Sequence, residues 1–135
     1  MSTKIIIPGV PVPKARPRVT RGGFTYTPKK TRDYERLIKD IYSLKGEYLG
    51  ESAIVAEIDL YFPIPKSYPK KRRQAILNGE EKYVKKPDLD NCIKSILDAL
   101  NGIAYKDDSQ VIEIRVKKSY TDQEPRAEVS LLEVF

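Results

Sequence analysis

A chain of 135 residues that contains one cysteine and no histidine excludes several classes of enzyme before any motif is considered. It cannot build a zinc site from histidine and cysteine ligands, a histidine general base or a Ser-His-Asp triad. Its formal net charge of +6, from 25 Lys and Arg against 19 Asp and Glu, favours polyanionic partners. Nucleic acid is the first such partner, and an anionic membrane surface is the alternative.

The length predicts a single domain over residues 1–135. There is no run of 18 apolar residues, and the apolar stretch in the starting segment MSTKIIIPGVP is too short for a signal peptide. The lone Cys92 cannot form an internal disulfide, which suits a reducing compartment. We therefore expect a cytoplasmic protein with no membrane-spanning segment and no small-molecule cofactor.

The first half of the chain predicts a strand, an extended arm, a helix and a second strand. The segment TKIII is typical of a strand, and the prolines from Pro8 to Pro17 favour extended backbone. Thr27 suits the N-cap of the next helix and Pro28 its first position. The apolar residues of that helix recur at helical spacing: Tyr34, Leu37, Ile38, Ile41 and Tyr42.

The segment AIVAEIDLYF alternates between apolar and polar residues, as a half-buried strand does. Glu57 and Asp59 fall on its polar face. The apolar face is formed by Ile54, Ala56, Ile58, Leu60 and Phe62.

The second half predicts a short helix and loop over PKKRRQAILNGEEKYVKK, then a helix from Asp88 to Asn101 and two closing strands. The apolar residues of the longer helix form one stripe: Leu89, Cys92, Ile93, Ile96, Leu97 and Leu100. The segments QVIEIRVKKSY and RAEVSLLEV are expected to pair with each other across the turn TDQEP. The predicted class is therefore α/β (mixed α+β), a small mixed sheet with two main helices.

Five aspartates lie within 21 residues of this basic chain: Asp88, Asp90, Asp98, Asp107 and Asp108. Carboxylates at this density repel one another unless a cation neutralises them, and hard cations such as Mg²⁺ prefer oxygen ligands. The acidic segment is therefore a candidate metal site.

Helical spacing gives part of this segment a geometry. Asp90, Lys94 and Asp98 are four residues apart in succession, so they share the polar face opposite the apolar stripe. If the strand that begins near Gln110 lies beside the start of this helix, Asp108 can approach Asp88 and Asp90.

Each acidic residue also has an ordinary interpretation. Asp88 could cap the helix, Asp90 and Asp98 could pair with Lys94, and the two aspartates at 107 and 108 could form a turn. An EF-hand loop is a further alternative, because DLDN begins like one. It fails because Cys92 and Ala99 occupy positions that need ligands.

Taken together, the string KPDLDN, then Lys94, then DALNG and DDSQV resemble the RusA-type Holliday junction resolvases, small phage and prophage endonucleases that cut four-way DNA junctions. The resemblance is specific over residues 85–111. It implies that Asp88, Asp90 and Asp108 bind metal and that Lys94 is required for cleavage. Asp107 is the alternative third ligand. The implied cofactor is Mg²⁺, with Mn²⁺ as a second possibility.

Three basic clusters are candidate DNA contacts, although runs of lysine and arginine are often only solvated surface. No acid occurs in residues 1–32, where prolines around PKARPR favour an extended arm that can follow phosphates. The predicted DNA-binding residues are Lys14, Arg16, Arg18, Lys70, Lys71, Arg72, Arg73, Lys85 and Lys86.

The sequence thus predicts a metal-dependent, structure-selective DNA endonuclease that resolves four-way junctions by paired incisions, acting as a homodimer. One alternative is a nuclease of the same chemistry that acts on flaps, forks or other branched DNA. The other is a noncatalytic DNA-binding protein whose acidic residues are only caps and turns.

Overall fold

A four-stranded mixed sheet forms the centre of the computed structural model, which describes residues 2–135. In chain order the elements are β1 (Ser2–Pro8), β2 (Arg18–Val19), β3 (Thr25–Tyr26), α1 (Lys29–Lys45), β4 (Ala53–Pro63), α2 (Lys70–Leu77), α3 (Leu89–Leu100), a 3-10 turn (Asp108–Gln110), β5 (Val111–Thr121) and β6 (Arg126–Val134). The predicted mixed α/β class, with two main helices, is confirmed. Strands β2 and β3 form a separate two-stranded hairpin.

Strand β4 lies inside the sheet, whose order is β1-β6-β4-β5. It pairs antiparallel with β6 and parallel with β5. Its burial alternates along the strand, with Ile54, Ile58 and Leu60 buried and Glu57 exposed, as the sequence predicted. The buried face of β4 therefore packs in the hydrophobic core.

The expected pairing of the last two strands with each other is wrong. Strand β4 lies between β5 and β6, so the two closing strands are next-nearest neighbours. Two strand spacings amount to about 10 Å, a distance that the four residues between Thr121 and Arg126 can span. In this arrangement both hydrogen-bonding edges of the apolar β4 are paired.

Helix α1 begins one residue later than predicted. Pro28 has extended backbone (φ −54°, ψ 146°) and is the N-cap, with no side-chain capping bond, so Thr27 is not the cap. The helix ends at Lys45 and is capped by Gly46, where any Cβ would overlap the ring of Tyr42. The Tyr42 ring is buried, and its hydroxyl donates to the carbonyl of Glu47 at 2.5 Å.

Helices α1 and α3 pack against each other, and both contact the sheet, α1 at β1 and α3 at β5. Cys92, Ile96 and Leu100 of α3 enter the same core as the buried side chains of β4. The polar face of α3 is consequently directed away from the core, beside the start of β5. No helix within residues 2–135 is both long enough and apolar enough to cross a bilayer.

Candidate active site

The polar face of α3 and the 3-10 turn before β5 line one cleft of about 340 Å³. Asp90, Lys94 and Asp98 enter it from successive turns of the helix, as the four-residue spacing predicted. Asp108 enters from the turn. Three carboxylates and one ammonium group therefore share this cleft, and its remaining walls are Asn91, Ile93 and Leu97.

A capping box holds the turn that carries Asp108. The side chain of Asp107 accepts from the backbone N–H of Ser109 at 3.1 Å, and the Asp107 N–H donates to the side chain of Gln110 at 2.8 Å. The side-chain nitrogen of Gln110 then donates to the carbonyls of Gly50 and Ser52, at 2.8 and 2.9 Å. The Asp107 side chain thus has a structural role in the turn, whereas Asp108 lines the cleft.

The same contacts explain the electrostatics of the turn. The hydrogen bonds from Ser109 hold the pKa of Asp107 below its usual value. Tyr105, in the loop between α3 and this turn, is buried. Burial raises its pKa, and the nearby negative charges of Asp108 and Asp98 act in the same direction. The hydroxyl of Tyr105 donates to the carbonyl of Leu97 at 2.6 Å, which fixes the loop after α3.

Asp88 lies in an adjacent hollow rather than in the cleft itself. This hollow, of about 210 Å³, is lined by Asp88, Asn91 and Lys86, together with Pro87 and the arm residues at 13 and 14. Asn91 lines both spaces. Asp88 and Asp90 thus line two adjacent spaces that share Asn91 as a wall.

The ordinary interpretation as a turn former fits Asp107, but the ordinary interpretations of Asp88 and Asp90 do not match their contacts. Asp88 occupies the N-cap of α3 but makes no side-chain capping bond. Within residues 2–135, the side chains of Asp90, Lys94 and Asp108 also take part in no hydrogen bond or salt bridge. Asp98 is different, because it pairs with Lys14 at 3.2 Å. Among the residues that the structure describes, Asp90, Lys94 and Asp108 therefore line one cleft without forming polar side-chain contacts that would stabilise the fold.

No three His, Cys, Asp or Glu side chains within residues 2–135 form a ready-made metal cluster. A Mg²⁺ ion, however, is commonly held by one or two carboxylates, several waters and the phosphate of its substrate rather than by an all-protein cage. The oxygen donors of Asp90 and Asp108, which share a cleft open to water, fit that mode. Cys92 does not contribute, because it is buried and burial raises its pKa to about 11.

Two of the predicted basic clusters meet at a residue that the sequence did not single out. Lys70, Lys71, Arg72 and Arg73 form the first turn of α2. The Arg72 guanidinium lies 3.7 Å from the centre of the Tyr68 ring, and the Lys85 ammonium donates to the Tyr68 hydroxyl. The hydrogen bond from Lys85 lowers the pKa of that phenol.

Several members of these clusters already have intramolecular partners. Arg72 makes a two-pronged contact with Glu81 at 3.0 Å, and Arg73 donates to the carbonyl of Pro65 at 3.2 Å. Lys70, Lys71 and Lys86 are exposed. The predicted DNA contacts thus divide into paired cations and cations that face solvent.

Lys118 is a second residue that sequence reasoning missed. Its ammonium donates to the carbonyls of Lys85 and Pro87, at 2.6 and 3.0 Å, and so ties β5 to the segment that leads into Asp88. A lysine within a strand gives no sequence signal for such a contact. Only the parallel β4–β5 pairing brings it there.

The N-terminal arm carries the remaining predicted DNA contacts. Lys14 is mostly covered, because its ammonium lies 2.5 Å from Glu35 and 3.2 Å from Asp98. Partial burial lowers the pKa of Lys14, but its hydrogen bonds to Glu35 and Asp98 outweigh that effect, so the net shift is upward. Arg16 and Arg18 are exposed.

Comparison with known proteins connects this arrangement to a family. The family model described as Endodeoxyribonuclease RusA matches residues 8–132, a stretch that includes the whole cleft. The uncharacterized protein YqaN of Bacillus subtilis (strain 168) is 35% identical over 137 residues, covering 97% of this chain and 96% of that protein.

Proposed function

The chain belongs to the RusA family of endodeoxyribonucleases, and we propose that it is a metal-dependent, structure-selective nuclease that resolves four-way (Holliday) junctions by paired incisions. The observation that carries the proposal is the cleft itself. Asp90, Lys94 and Asp108 line it together, and their side chains have no hydrogen-bond or salt-bridge partner within residues 2–135. A cleft lined by several convergent polar groups is where a substrate is expected to bind.

Asp90 and Asp108 are the residues that would hold the metal, with Asp88 contributing from the other side of Asn91. Their oxygen donors suit Mg²⁺ first and Mn²⁺ second. A bound divalent ion would supply an activated water and neutralise charge on the phosphoryl oxygens. The chain has no histidine, so carboxylates and lysine are the groups available for this chemistry.

Lys94 acts on the DNA phosphodiester that would be cleaved in this cleft. An ammonium group donates hydrogen bonds and accepts none, so it can hold a phosphoryl oxygen as negative charge develops or orient a water by donating to it. Both roles require the position that Lys94 has, one helical turn from Asp90 in the same cleft. Both predict a loss of rate rather than of affinity when the side chain is removed.

The basic helix starts support a nucleic-acid substrate. The first turns of α1 and α2 contain no acid, although the partial positive charge at a helix N-terminus favours acids there. Lys29 pairs with Asp33 one turn later at 2.7 Å, but Lys30, Lys70 and Lys71 face the unfavourable end of the helix dipole with no such partner within residues 2–135. They are better explained as contacts for phosphates.

The deciding experiment is incubation of a labelled synthetic four-way junction with the protein, with and without Mg²⁺, followed by sizing of the strands. Wild-type protein is expected to cut two opposed strands only when Mg²⁺ is present. Asp90→Asn should bind the junction without cutting it, whereas Asp40→Asn, which removes an exposed acid of α1 outside the cleft, should cut normally. Full cleavage by Asp90→Asn would remove the cleft from the mechanism.

Lys94→Ala separates catalysis from binding. We expect single-turnover cleavage at saturating protein to fall by at least about 100-fold while the Kd for the junction changes little. Matched flap and fork substrates distinguish a nuclease with broader substrate preference, and absence of metal-dependent nicking would indicate a noncatalytic DNA-binding protein.

A further inference from the structure

The N-terminal arm is clamped between the two long helices directly beside the candidate active site. The Ser95 hydroxyl donates to the carbonyl of Val12 at 2.7 Å, and the N–H of Lys14 donates to the carbonyl of Asn91 at 2.8 Å. The N–H of Ala15 donates to the Thr31 hydroxyl at 3.2 Å. The arm is therefore held at residues 12–15, beside Asn91, which lines both the cleft and the hollow that contains Asp88.

From that point the chain forms a hairpin that projects into solvent. Strands β2 and β3 are joined by a turn in which the N–H of Thr20 donates to the carbonyl of Phe24 at 2.8 Å and the N–H of Gly23 to the carbonyl of Thr20 at 3.0 Å. Gly23 has a φ of +84°, which a residue with a side chain rarely adopts. Every residue from 16 to 26 is exposed, so no core contact explains the hairpin.

The exposed side chains of this hairpin combine two chemistries. Phe24 is 75% exposed, Val19 65% and Tyr26 46%. Arg16, Arg18 and Arg21 lie on the same segment, and residues 2–32 contain no acid. Arginines bind phosphates and aromatic rings stack on bases, so the partner that fits both is DNA.

We propose that Phe24 is a wedge that inserts at the branch point of the DNA, while Arg16, Arg18 and Arg21 hold the adjacent phosphates. This inference rests on the proposed function for the nature of the substrate. Apolar side chains that enter DNA must separate stacked bases, and the cost is lowest where stacking is already interrupted. A four-way junction offers such a step, and a linear duplex does not. The wedge thus provides selectivity for branched DNA beside the cleft that cuts it.

Fluorescence of 2-aminopurine placed at the branch point tests the proposal. Binding is measured in EDTA, and the strands are sized afterwards to establish that they are intact. Wild-type protein should raise the fluorescence as the base unstacks. Phe24→Ala should abolish that rise and weaken junction binding about tenfold, with duplex binding unchanged, and Phe24→Trp should restore both.

Leu44→Ala is the matched control, because Leu44 is 85% exposed on α1 and lies outside the hairpin. It should leave the fluorescence and both affinities at wild-type values, and thermal unfolding should be the same for all variants. Phe24→Ala with an unchanged fluorescence signal and unchanged junction affinity would overturn the wedge. A change in molecular mass on Phe24→Ala, with DNA binding intact, would overturn it in favour of self-association.

The outcome for the wedge is separable from that for the nuclease. If Phe24 controls the fluorescence signal but no condition yields cleavage, the nuclease proposal fails and the wedge stands. If junctions are cut and Phe24→Ala behaves as wild type in both assays, the wedge fails and the nuclease stands.

Discussion

Lys14 and Asp98 form a salt bridge of 3.2 Å between the N-terminal arm and the polar face of α3. The same ammonium lies 2.5 Å from Glu35 of α1, so one lysine neutralises two partly covered carboxylates. Asp98 and Asp90 occupy the same face of the same helix, yet within residues 2–135 only Asp98 of the two forms a salt bridge. The two aspartates should therefore respond differently to removal of their charge.

Asp98→Asn should lower stability without removing cleavage, which is the opposite of the expectation for Asp90→Asn. The expected coupling between Lys14→Ala and Asp98→Asn in a double-mutant cycle is about 0.5–1 kcal/mol, because both side chains are partly exposed. Lys14→Ala alone should cost more, about 1–2 kcal/mol, since it leaves two carboxylates without a partner. Urea unfolding of the four proteins gives these values. A coupling of zero would show that the bridge contributes nothing to folding.

Asp107 and Asp108 can be separated by the same kind of substitution. Asp108→Asn should abolish metal-dependent cleavage with little change in stability. Asp107→Asn should still cut, because asparagine can accept the capping bond from Ser109 and the turn is retained. Cleavage of a junction and a thermal melt of each variant are the two measurements. The reverse result would assign the metal-holding role to Asp107.

The helix that carries Asp90 was predictable because its signal is local. The apolar stripe of α3 and the alternation of β4 each lie within about a dozen residues, and the period of the pattern decides the element. The shared face of Asp90, Lys94 and Asp98 follows from the same spacing. Sequence reasoning therefore gave the right helix and the right polar face.

The errors and omissions concern contacts between residues far apart in the chain. Hydrophobic alternation is the same for a strand at either position in a sheet, so it could not show that β4 separates β5 from β6. The contacts of Lys118 with the segment before Asp88 depend on that order and were missed with it. Likewise, Asp88 lines a different space from Asp90, with Asn91 common to both, which residue spacing does not reveal.

Arg16 and Arg18 should contribute to binding by holding phosphates of the DNA backbone. Each substitution to alanine is expected to weaken junction binding and to reduce the slope of log Kd against log salt by about 0.9 for each phosphate that the variant no longer binds. Arg115→Ala is the control, because it removes the same charge from β5, where Arg115 lies near Glu57 and Glu113. Titrations at several salt concentrations give the slopes. Equal slopes for all variants would exclude the arm from the DNA interface.

Glu128 should make stability depend on pH. The hydrogen bond from Lys4 lowers its pKa, and Arg126 acts in the same direction. A carboxyl whose pKa is lower in the folded state stabilises the fold above its unfolded pKa, about 4.3, and that contribution is lost as pH falls through the folded pKa. Glu128→Gln should therefore cost about 1 kcal/mol at pH 7 and nothing near pH 2.

Urea unfolding of wild type and Glu128→Gln at pH 7, 5, 4 and 2 tests this expectation, with the exposed Glu80→Gln as control. The difference in unfolding free energy between wild type and Glu128→Gln should shrink steadily below about pH 5. A difference that stays constant with pH would mean that packing of Glu128, and not its charge, is what matters.

The number of cuts that a four-way junction requires bears on assembly. Two opposed incisions are needed to give two duplexes, and each chain has one cleft that contains Asp90, Lys94 and Asp108. A homodimer with two-fold symmetry would supply two clefts and match the symmetry of the junction. Phe62 and Ile64 are buried within one chain and so cannot form the dimer contact, whereas Phe135 is 98% exposed and is available for it.

We therefore expect light scattering to give a mass of about 31 kDa, twice the 15.5 kDa of one chain. Mixed dimers of wild type and Asp90→Asn, purified with two different tags, should nick one strand of the junction without resolving it, because only one of their clefts can cut. Wild-type dimers carrying the same tags are the control and should release two nicked duplexes. A monomeric mass at working concentration together with paired incision would instead indicate sequential cutting by independent molecules.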